Sequence, residues 1–249
     1  MSRWPTSAPS SLCIWQQNAW KLQAAHQHIL SADPSLYDLI LIQEPWINHL
    51  GKSRGSNYWQ VLYSSNYYQD GRANVRLIIL VYTNLNTNAY TQLEIMHSDI
   101  MALCLSRDFR HCSIFNIYND CTNNNTLTVL CSYLTDHIQI TCSSPHNYMF
   151  WMGNFNCHYL MWEEVCNRHL YSSDTMIEPL LDLNNDYTMV QSLPLGIPTY
   201  KAAMQNWTWP DNVWHTDSAD DPIVTTFLVM CTIGHHLYSS LLSLRTTPI

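Results

Sequence analysis

The sequence predicts an α/β fold in which two packed β-sheets carry helices on their outer faces. The chain has 249 residues, 47% of them hydrophobic, which is enough for one sizeable core. Short apolar runs alternate with helical patterns, and several predicted strands follow one another without an intervening helix. That order is typical of two stacked sheets, whereas a doubly wound sheet alternates strand and helix. Neither GxGxxG nor GxxxxGK[ST] occurs, so a loop that cradles nucleotide phosphates is not supported.

The individual elements are predicted from hydrophobic periodicity. The run DLILIQ at 38–43 is continuously apolar between its first and last residues, which is typical of a strand buried on both faces. Leucines at 127, 130 and 134 form the apolar stripe of the clearest helix. Helices are predicted over Trp20–Leu30, Thr126–Ile140 and Thr175–Leu183, and strands over Leu12–Gln16, Asp38–Gln43, Trp59–Tyr63, Val75–Tyr82, Ile100–Leu105, Ser113–Tyr118, Tyr148–Met152, Asp211–Trp214 and Ile223–Met230.

Composition and charge limit the classes of function. The net charge is −8 with only 11 Lys and Arg residues, which argues against a strong nonspecific grip on nucleic acid. Nine cysteines without CxxC spacing, together with an N-terminus that lacks an apolar signal core, predict an intracellular protein that is not secreted. The longest apolar stretches, Leu77–Tyr82 and Phe227–Cys231, are far below the ~18–20 residues that span a bilayer, so no membrane partner is expected. No obligate protein partner can be inferred.

Polar residues directly follow several of the predicted strands. Strand ends of a packed α/β domain converge at one edge, where ligand sites commonly lie. Each residue alone has a simpler interpretation, because Asn is a common turn former and a Glu-Pro pair usually belongs to a loop. The complete ordered set favours a site. Its members are Asn18, Glu44, Tyr118, Asn119, Asp120, Asn154, Asn156, Asp211, His235 and His236.

The order of these motifs resembles a known family. The chain is similar to the endonuclease/exonuclease/phosphatase superfamily with the DNase I-like fold, and within it to the endonuclease domain of fungal non-LTR retrotransposons. The match spans about residues 11–237, and it rests on Gln17-Asn18 with Lys21, LIQEPW (41–46), FNIYND (115–120), WMGNFNCHYLMWEE (151–164), LPLGIPTY (193–200), WTWPDNVW (207–214) and GHHL (234–237).

The resemblance implies a domain over 11–249 after a disordered lead-in of residues 1–10. About the last 20 residues depart from the family pattern. The implied fold is a four-layer sandwich of two mixed β-sheets flanked by helices. If the domain works as a retroelement nuclease, its expected location is the nucleus.

The implied activity is metal-dependent hydrolysis of a DNA phosphodiester to a 3′-hydroxyl and a 5′-phosphate, with DNA as the partner. A hard ion such as Mg²⁺ prefers carboxylate oxygens and keeps several waters, and Mn²⁺ is an alternative. The resemblance assigns the metal to Glu44 and Asn18, and catalysis to Asn154, Asn156, His236, Tyr118 and Asp211. It assigns substrate binding to Asn119, His158 and Lys21.

Two positions depart from the family in ways that affect the chemistry. The family motif G-D-F-N is here Gly153-Asn154-Phe155-Asn156, and asparagine neither carries a charge nor accepts a proton. General-base assistance contributes about 10²–10⁴ in rate, so this change alone predicts weak activity. The aspartate that orients the family's histidine is replaced by His235, which cannot act as an anionic partner of His236.

The departures share one direction. Where relatives read GDFNRHHPLW this chain reads GNFNCHYLMW, and the changes from Asp to Asn154, Arg to Cys157 and Pro to Leu160 are each reachable by one C→T or G→A change. We therefore hypothesise a degenerate retroelement copy. Two alternatives remain open: a catalytically dead remnant with at most weak nucleic-acid binding, and a small-molecule phosphoesterase of the same superfamily.

Overall fold

The computed structural model describes residues 11–69, 75–107, 110–120, 122–137, 147–163, 165–193, 199–201, 207–208, 210–216, 223–229 and 239–245. The predicted lead-in over 1–10 lies outside these residues. The strands are β1 Ser11–Asn18, β2 Leu39–Gln43, β3 Trp59–Tyr63, β4 Leu77–Tyr82, β5 Tyr90–Leu93, β6 Ile100–Arg107, β7 Arg110–Tyr118, β8 Asn147–Asn154, β9 Met189–Gln191, β10 Tyr200–Lys201, β11 Trp207–Thr208, β12 Asp211–Thr216, β13 Ile223–Val229 and β14 Ser239–Arg245. The helices are α1 Gln23–Leu30, α2 Asn125–Asp136 and α3 Asp174–Asp186.

Twelve of the strands form two six-stranded sheets. The first sheet has the order β13-β14-β1-β2-β4-β3, the second has the order β5-β6-β7-β8-β12-β9, and β10 pairs separately with β11. Each sheet is mixed, because β1 and β2 run parallel in the first and β7 and β8 run parallel in the second, while the other pairs are antiparallel. The predicted fold class is therefore confirmed.

Three apolar layers hold the sandwich together. One lies between the two sheets, and the other two lie on the outer faces, where α1 covers the first sheet and α2 and α3 cover the second. Strand β2 shows the alternation directly: Leu39 and Leu41 face the second sheet, whereas Ile40 and Ile42 face α1. All four are fully buried, as the DLILIQ run predicted. Within the described ranges, no helix has both the length and the apolar character needed to cross a membrane.

The structure departs from the predicted elements at several points. Helix α1 begins at Gln23 and not at Trp20, because Trp20 and Lys21 adopt φ values of 52° and 56°, which are incompatible with a right-handed helix. Strands β5, β9, β10, β11 and β14 were not predicted. The first four are only two to four residues long, and β14 joins the first sheet between β13 and β1. The C-terminal segment is thus an internal strand.

A chain of polar side chains crosses the layer between the sheets. Gln16 Nε2 donates to Gln43 Oε1 at 2.8 Å, and Gln43 Nε2 donates to Asn116 Oδ1 at 2.6 Å. Asn116 in turn donates to the carbonyl oxygen of Ile78 at 3.0 Å. At the other end, Gln16 Nε2 lies 3.5 Å from Asp211 Oδ1. Because these groups are buried in an otherwise apolar layer, their hydrogen bonds fix how the two sheets align.

The carboxyl of Asp211 is the ionisable member of this chain. Burial raises its pKa to about 7. The hydrogen bonds with Thr199 and Gln16 lower the pKa, but by less than burial raises it. A buried carboxylate whose partners are neutral is costly, so the folded state favours the protonated acid.

Position 153, the last but one residue of β8, requires a glycine because the backbone of β7 approaches it closely. Its φ is +146°, and a Cβ atom placed there would lie 1.9 Å from the carbonyl oxygen of Ile117. Ile117 is its partner in the parallel pairing of β7 with β8. No side chain fits unless the two strands separate.

We expect Gly153→Ala to lower the free energy of unfolding by about 4 kcal/mol or more, because the clash is with backbone and cannot relax by a rotamer change. Urea unfolding followed by tryptophan fluorescence measures it. Gly51→Ala is the control: Gly51 has φ 76° in a loop, so the expected loss is about 1–2 kcal/mol. Equal losses in the two variants would contradict this account.

We expect Asp211→Asn to stabilise the protein at alkaline pH. Folding raises the pKa of this carboxyl, so its protonated form contributes stability below about pH 4, and that contribution is lost as the pH rises towards 7. The asparagine variant should therefore gain about 1–4 kcal/mol at pH 8 and much less at pH 4. Thermal melting of both proteins at the two pH values tests this, and a variant less stable at pH 8 would refute it.

Candidate active site

Three of the predicted site residues lie side by side in the second sheet. Asn154 ends β8, and the strand register places it opposite Tyr118 of β7 on one side and Asp211 of β12 on the other. Asn154 and Asp211 are each 6% exposed, and Tyr118 is half-buried. The sheet therefore presents a phenol, an amide and a carboxyl in one row at its edge.

The predicted metal residues lie at the edge of the first sheet. Asn18 ends β1 and is paired in register with Gln43, the last residue of β2, so that Glu44 follows immediately. The backbone turns sharply here: Glu44 has φ 46°, its N–H donates to the carbonyl oxygen of Arg76, and its own carbonyl accepts from the Lys21 N–H at 2.7 Å. Lys21 Nζ lies 3.9 Å from Glu44 Oε1, a weak interaction because the lysine side chain is 57% exposed.

Arg76, directly before β4, joins these two groups of residues. Its guanidinium lies over the Tyr118 ring at 5.3 Å from the centroid, while its backbone carbonyl accepts the Glu44 N–H. The same guanidinium donates from Nη1 to Asp120 at 3.1 Å and to Asp99 at 3.3 Å. Arg76 therefore links Tyr118 of the second sheet to Glu44, which follows a strand of the first sheet.

Arg76 was not predicted as a site residue. The only signal in the sequence was a basic residue directly before a buried strand, in a chain with 11 Lys and Arg residues. Its carboxylate partners differ in their response. Hydrogen bonds from Thr122 and the charge of Arg76 lower the pKa of Asp120, whereas burial raises the pKa of Asp99 more than Arg76 lowers it.

Asn119 and Asn156 shape the loop that follows β8. Asn156 Nδ2 donates to the Asn119 carbonyl at 2.7 Å, and Asn119 Nδ2 donates to the Phe155 carbonyl at 3.0 Å. The Asn156 N–H donates to Asn154 Oδ1 at 3.0 Å, and Asn156 has φ 49°. Asn119 is fully buried and supports this loop through these two bonds, and its predicted contact with substrate stays a prediction.

The predicted histidines are placed differently from the rest. His158 lies two residues beyond Asn156, and its Nδ1 is bonded to the fully buried carboxylate of Glu163. Glu163 also accepts from Asn167 Nδ2 at 2.9 Å, and the His158 N–H donates to Ser172 Oγ. The imidazole is thus held by an acid that the sequence did not single out. His235 and His236 lie outside the described residues.

The donor set is compatible with one hard divalent cation. Glu44 supplies a partly exposed carboxylate, and Asn18 is adjacent, although its Oδ1 already accepts the Trp20 N–H at 2.9 Å. Mg²⁺ usually keeps several waters and takes one or two carboxylates plus substrate phosphates, which suits a single Glu. Among the described residues there is no cluster of three or more His, Cys, Asp or Glu side chains that would hold a metal unaided.

Asn154 changes what this edge can do chemically. Its Oδ1 is bonded to the Asn156 N–H, so its Nδ2 is the end left to donate a hydrogen bond to a ligand. An amide donates to a phosphate oxygen but accepts no proton. In the described part of the row, the carboxyl of Asp211 is the group that can take up a proton near neutral pH.

Comparisons with known proteins bear on the fold. No protein-family model matches the chain, and no curated protein sequence matches it. Solved structures match it along most of its length. The endonuclease domain of TRAS1, a telomere-specific non-LTR retrotransposon, is 12% identical with a TM-score of 0.70, and the match covers 94% of this chain and 98% of that one.

Two further structures agree. An AP endonuclease from Leishmania major is 12% identical with a TM-score of 0.69, covering 99% of this chain and 92% of that one. An endonuclease/exonuclease/phosphatase family protein from Leptotrichia buccalis is 10% identical with a TM-score of 0.55, covering 95% and 99%. At this level of identity the likeness establishes architecture, and the chain therefore has the DNase I-like sandwich fold that its motifs predicted.

Proposed function

We propose that the chain is a DNA nuclease domain that hydrolyses phosphodiester bonds with Mg²⁺ or Mn²⁺, and that the asparagine at 154 has left it weakly active. The observation that carries this proposal is a set of connected strand ends. Arg76 contacts both Glu44 and Tyr118, the register of β1 with β2 places Asn18 near Glu44, and the register of β7, β8 and β12 places Asn154 between Tyr118 and Asp211. The fold likeness to a retrotransposon endonuclease domain and an AP endonuclease supports the choice of DNA as substrate.

Each residue has a definite task in this proposal. Glu44 and Asn18 would hold the ion, which neutralises charge on the scissile phosphate when bound. The phenol of Tyr118, held under Arg76, lies against the phosphate, and the amides of Asn154 and Asn156 donate hydrogen bonds to it. We assign Lys21 and His158 to flanking phosphates. The exposure of Lys21 beside Glu44, and the position of His158 two residues after Asn156, support this assignment.

His236 belongs to the proposal through the resemblance alone, as the residue that would stabilise charge on the phosphorane. Retroelement origin and action in the nucleus are part of the same proposal. They agree with the likeness to a retrotransposon domain and with the direction of the substitutions in GNFNCHYLMW.

A second candidate is a folded remnant that has lost catalysis. It is favoured by the same residue, because Asn154 lacks the proton-accepting carboxylate, and by the net charge of −8, which opposes tight binding of DNA. The two candidates differ in whether restoring one carboxylate restores the reaction.

We expect Asn154→Asp to increase nicking of supercoiled plasmid in Mg²⁺ by about 10²–10⁴ over the unsubstituted protein, because it supplies a proton acceptor where the amide now lies. Agarose gel electrophoresis of nicked and closed plasmid gives both rates. Asn57→Asp is the matched control, since it adds the same charge at an exposed loop position and should leave the rate unchanged.

A protein that remains folded but inactive with and without Asn154→Asp would disprove the nuclease and leave the remnant. Equal, fast nicking by both proteins would show that the amide at 154 is no impairment. Thermal melting of each variant separates either result from a failure to fold.

We expect Glu44→Gln to abolish the nicking of the Asn154→Asp protein and to weaken Mn²⁺ binding at least about tenfold, because it removes the carboxylate from the ion's donor set. Electron paramagnetic resonance of free Mn²⁺ reports binding independently of catalysis. The control is Glu178→Gln, which changes an exposed carboxylate of α3 on the outer face of the second sheet. Unaltered Mn²⁺ affinity in Glu44→Gln would place the metal elsewhere.

A further inference from the structure

We propose that Asp211 accepts the proton of the attacking water in this chain, in place of the carboxylate that is missing at 154. This inference rests on the proposed nuclease function and assigns a role within the same site. The resemblance assigns Asp211 to catalysis without a particular step, and this inference gives it one.

The strand pairing places the two side chains together. Asp211 and Asn154 are direct partners in the antiparallel pairing of β12 with β8, so their side chains leave the same face of the sheet. Directly opposed residues of an antiparallel pair have Cβ atoms about 5 Å apart. One water molecule held by both side chains fits this separation. A water bound for attack beside Asn154 is therefore within reach of Asp211.

Asn154 and Asp211 are each 6% exposed, so neither residue is completely closed to solvent. The groups bonded to the Asp211 carboxyl in the described residues are neutral: the amide of Gln16 and the hydroxyl of Thr199. No described lysine, arginine or histidine is bonded to it, so its proton is not displaced by an ion pair.

Burial raises the pKa of Asp211 to about 7, and a proton acceptor works best when its pKa is near the pH of the reaction. An ordinary surface carboxylate is a far weaker base. Burial therefore makes the Asp211 carboxylate a stronger base, whereas the amide of an asparagine at 154 accepts no proton.

The step balances without a further reagent. The water oxygen forms a bond to phosphorus while its proton passes to a carboxylate oxygen of Asp211. The bond from phosphorus to the 3′-oxygen breaks, the 3′-oxygen takes a proton from solvent, and Asp211 returns its proton to solvent afterwards. Asn154 Nδ2 donates to a non-bridging phosphate oxygen, because its Oδ1 is already bonded to the Asn156 N–H.

A double-mutant cycle tests the assignment. Plasmid nicking is measured for the unsubstituted protein, Asp211→Asn, Asn154→Asp and the double variant. In the unsubstituted background, we expect Asp211→Asn to reduce the nicking rate by a factor of about 10² or more. In the Asn154→Asp background, where a second carboxylate is present, the factor of reduction should be at least about tenfold smaller. Nicking by the unsubstituted protein should rise with pH up to about 7, and this rise should be absent in Asp211→Asn.

Controls keep the test independent of folding and binding. Asp182→Asn removes an exposed carboxylate from α3 and should change nothing. Asp211→Asn should melt no lower than the parent and should bind a fluorescent DNA duplex with unchanged affinity in Ca²⁺. A loss of nicking with both properties intact then belongs to the chemical step.

Three results would overturn the proposal. If only the Asn154→Asp protein nicks DNA, the nuclease function stands and Asp211 is not a working base. If Asp211→Asn reduces nicking equally in both backgrounds, its role is one that both backgrounds share. If none of the proteins nicks DNA, the nuclease function itself fails, and this inference fails with it.

Discussion

The alignment of the two sheets depends on the polar chain Asn116–Gln43–Gln16–Asp211 in an otherwise apolar layer. Apolar side chains tolerate sliding, but an unpaired buried amide costs about 1–3 kcal/mol, so these bonds select one relative position of the sheets. Three members lie one or two residues before a candidate site residue, and the fourth, Asp211, is itself one. Gln43 precedes Glu44, Gln16 lies two residues before Asn18, and Asn116 lies two residues before Tyr118. The buried hydrogen bonds between the sheets therefore also determine the relative positions of the candidate site residues.

Backbone strain is concentrated at that same edge. Trp20, Lys21, Glu44 and Asn156 are non-glycine residues with φ between 46° and 56°, a region that side chains with a Cβ seldom adopt. Each costs on the order of 1–3 kcal/mol and persists because surrounding hydrogen bonds over-determine it. Lys21, for example, is held by the Glu44 carbonyl. These residues follow β1, β2 and β8, so the strain lies where the three strands that carry Asn18, Gln43 and Asn154 end.

Most of the sandwich could be predicted from the sequence, because an apolar run such as 38–43 is typical of a strand covered on both faces, and all four of its apolar residues are buried. Short strands such as β9 were missed since three residues carry no periodicity, and β14 was missed since its pattern of Ser and Leu is weak without its partners. Among the site residues, the order of motifs identified Glu44, Tyr118 and Asp211. Arg76 and Glu163 were missed, because their importance comes from contacts across 42 and 5 residues that no local pattern records.

In the proposed reaction, burial of the Asp211 carboxyl has opposite effects on the stability of the fold and on the reactivity of the site. The folded protein is most secure when this group holds its proton, and it is able to receive one from water only after that proton has left. In the proposed reaction, the pH range in which this carboxyl contributes most to stability is therefore the range in which it does not act as a base. A neighbouring cation would lower the pKa of this carboxyl. The folded protein would then be more stable at neutral pH, and the carboxylate would be a weaker base. This compromise is built into the placement of one acid between two sheets.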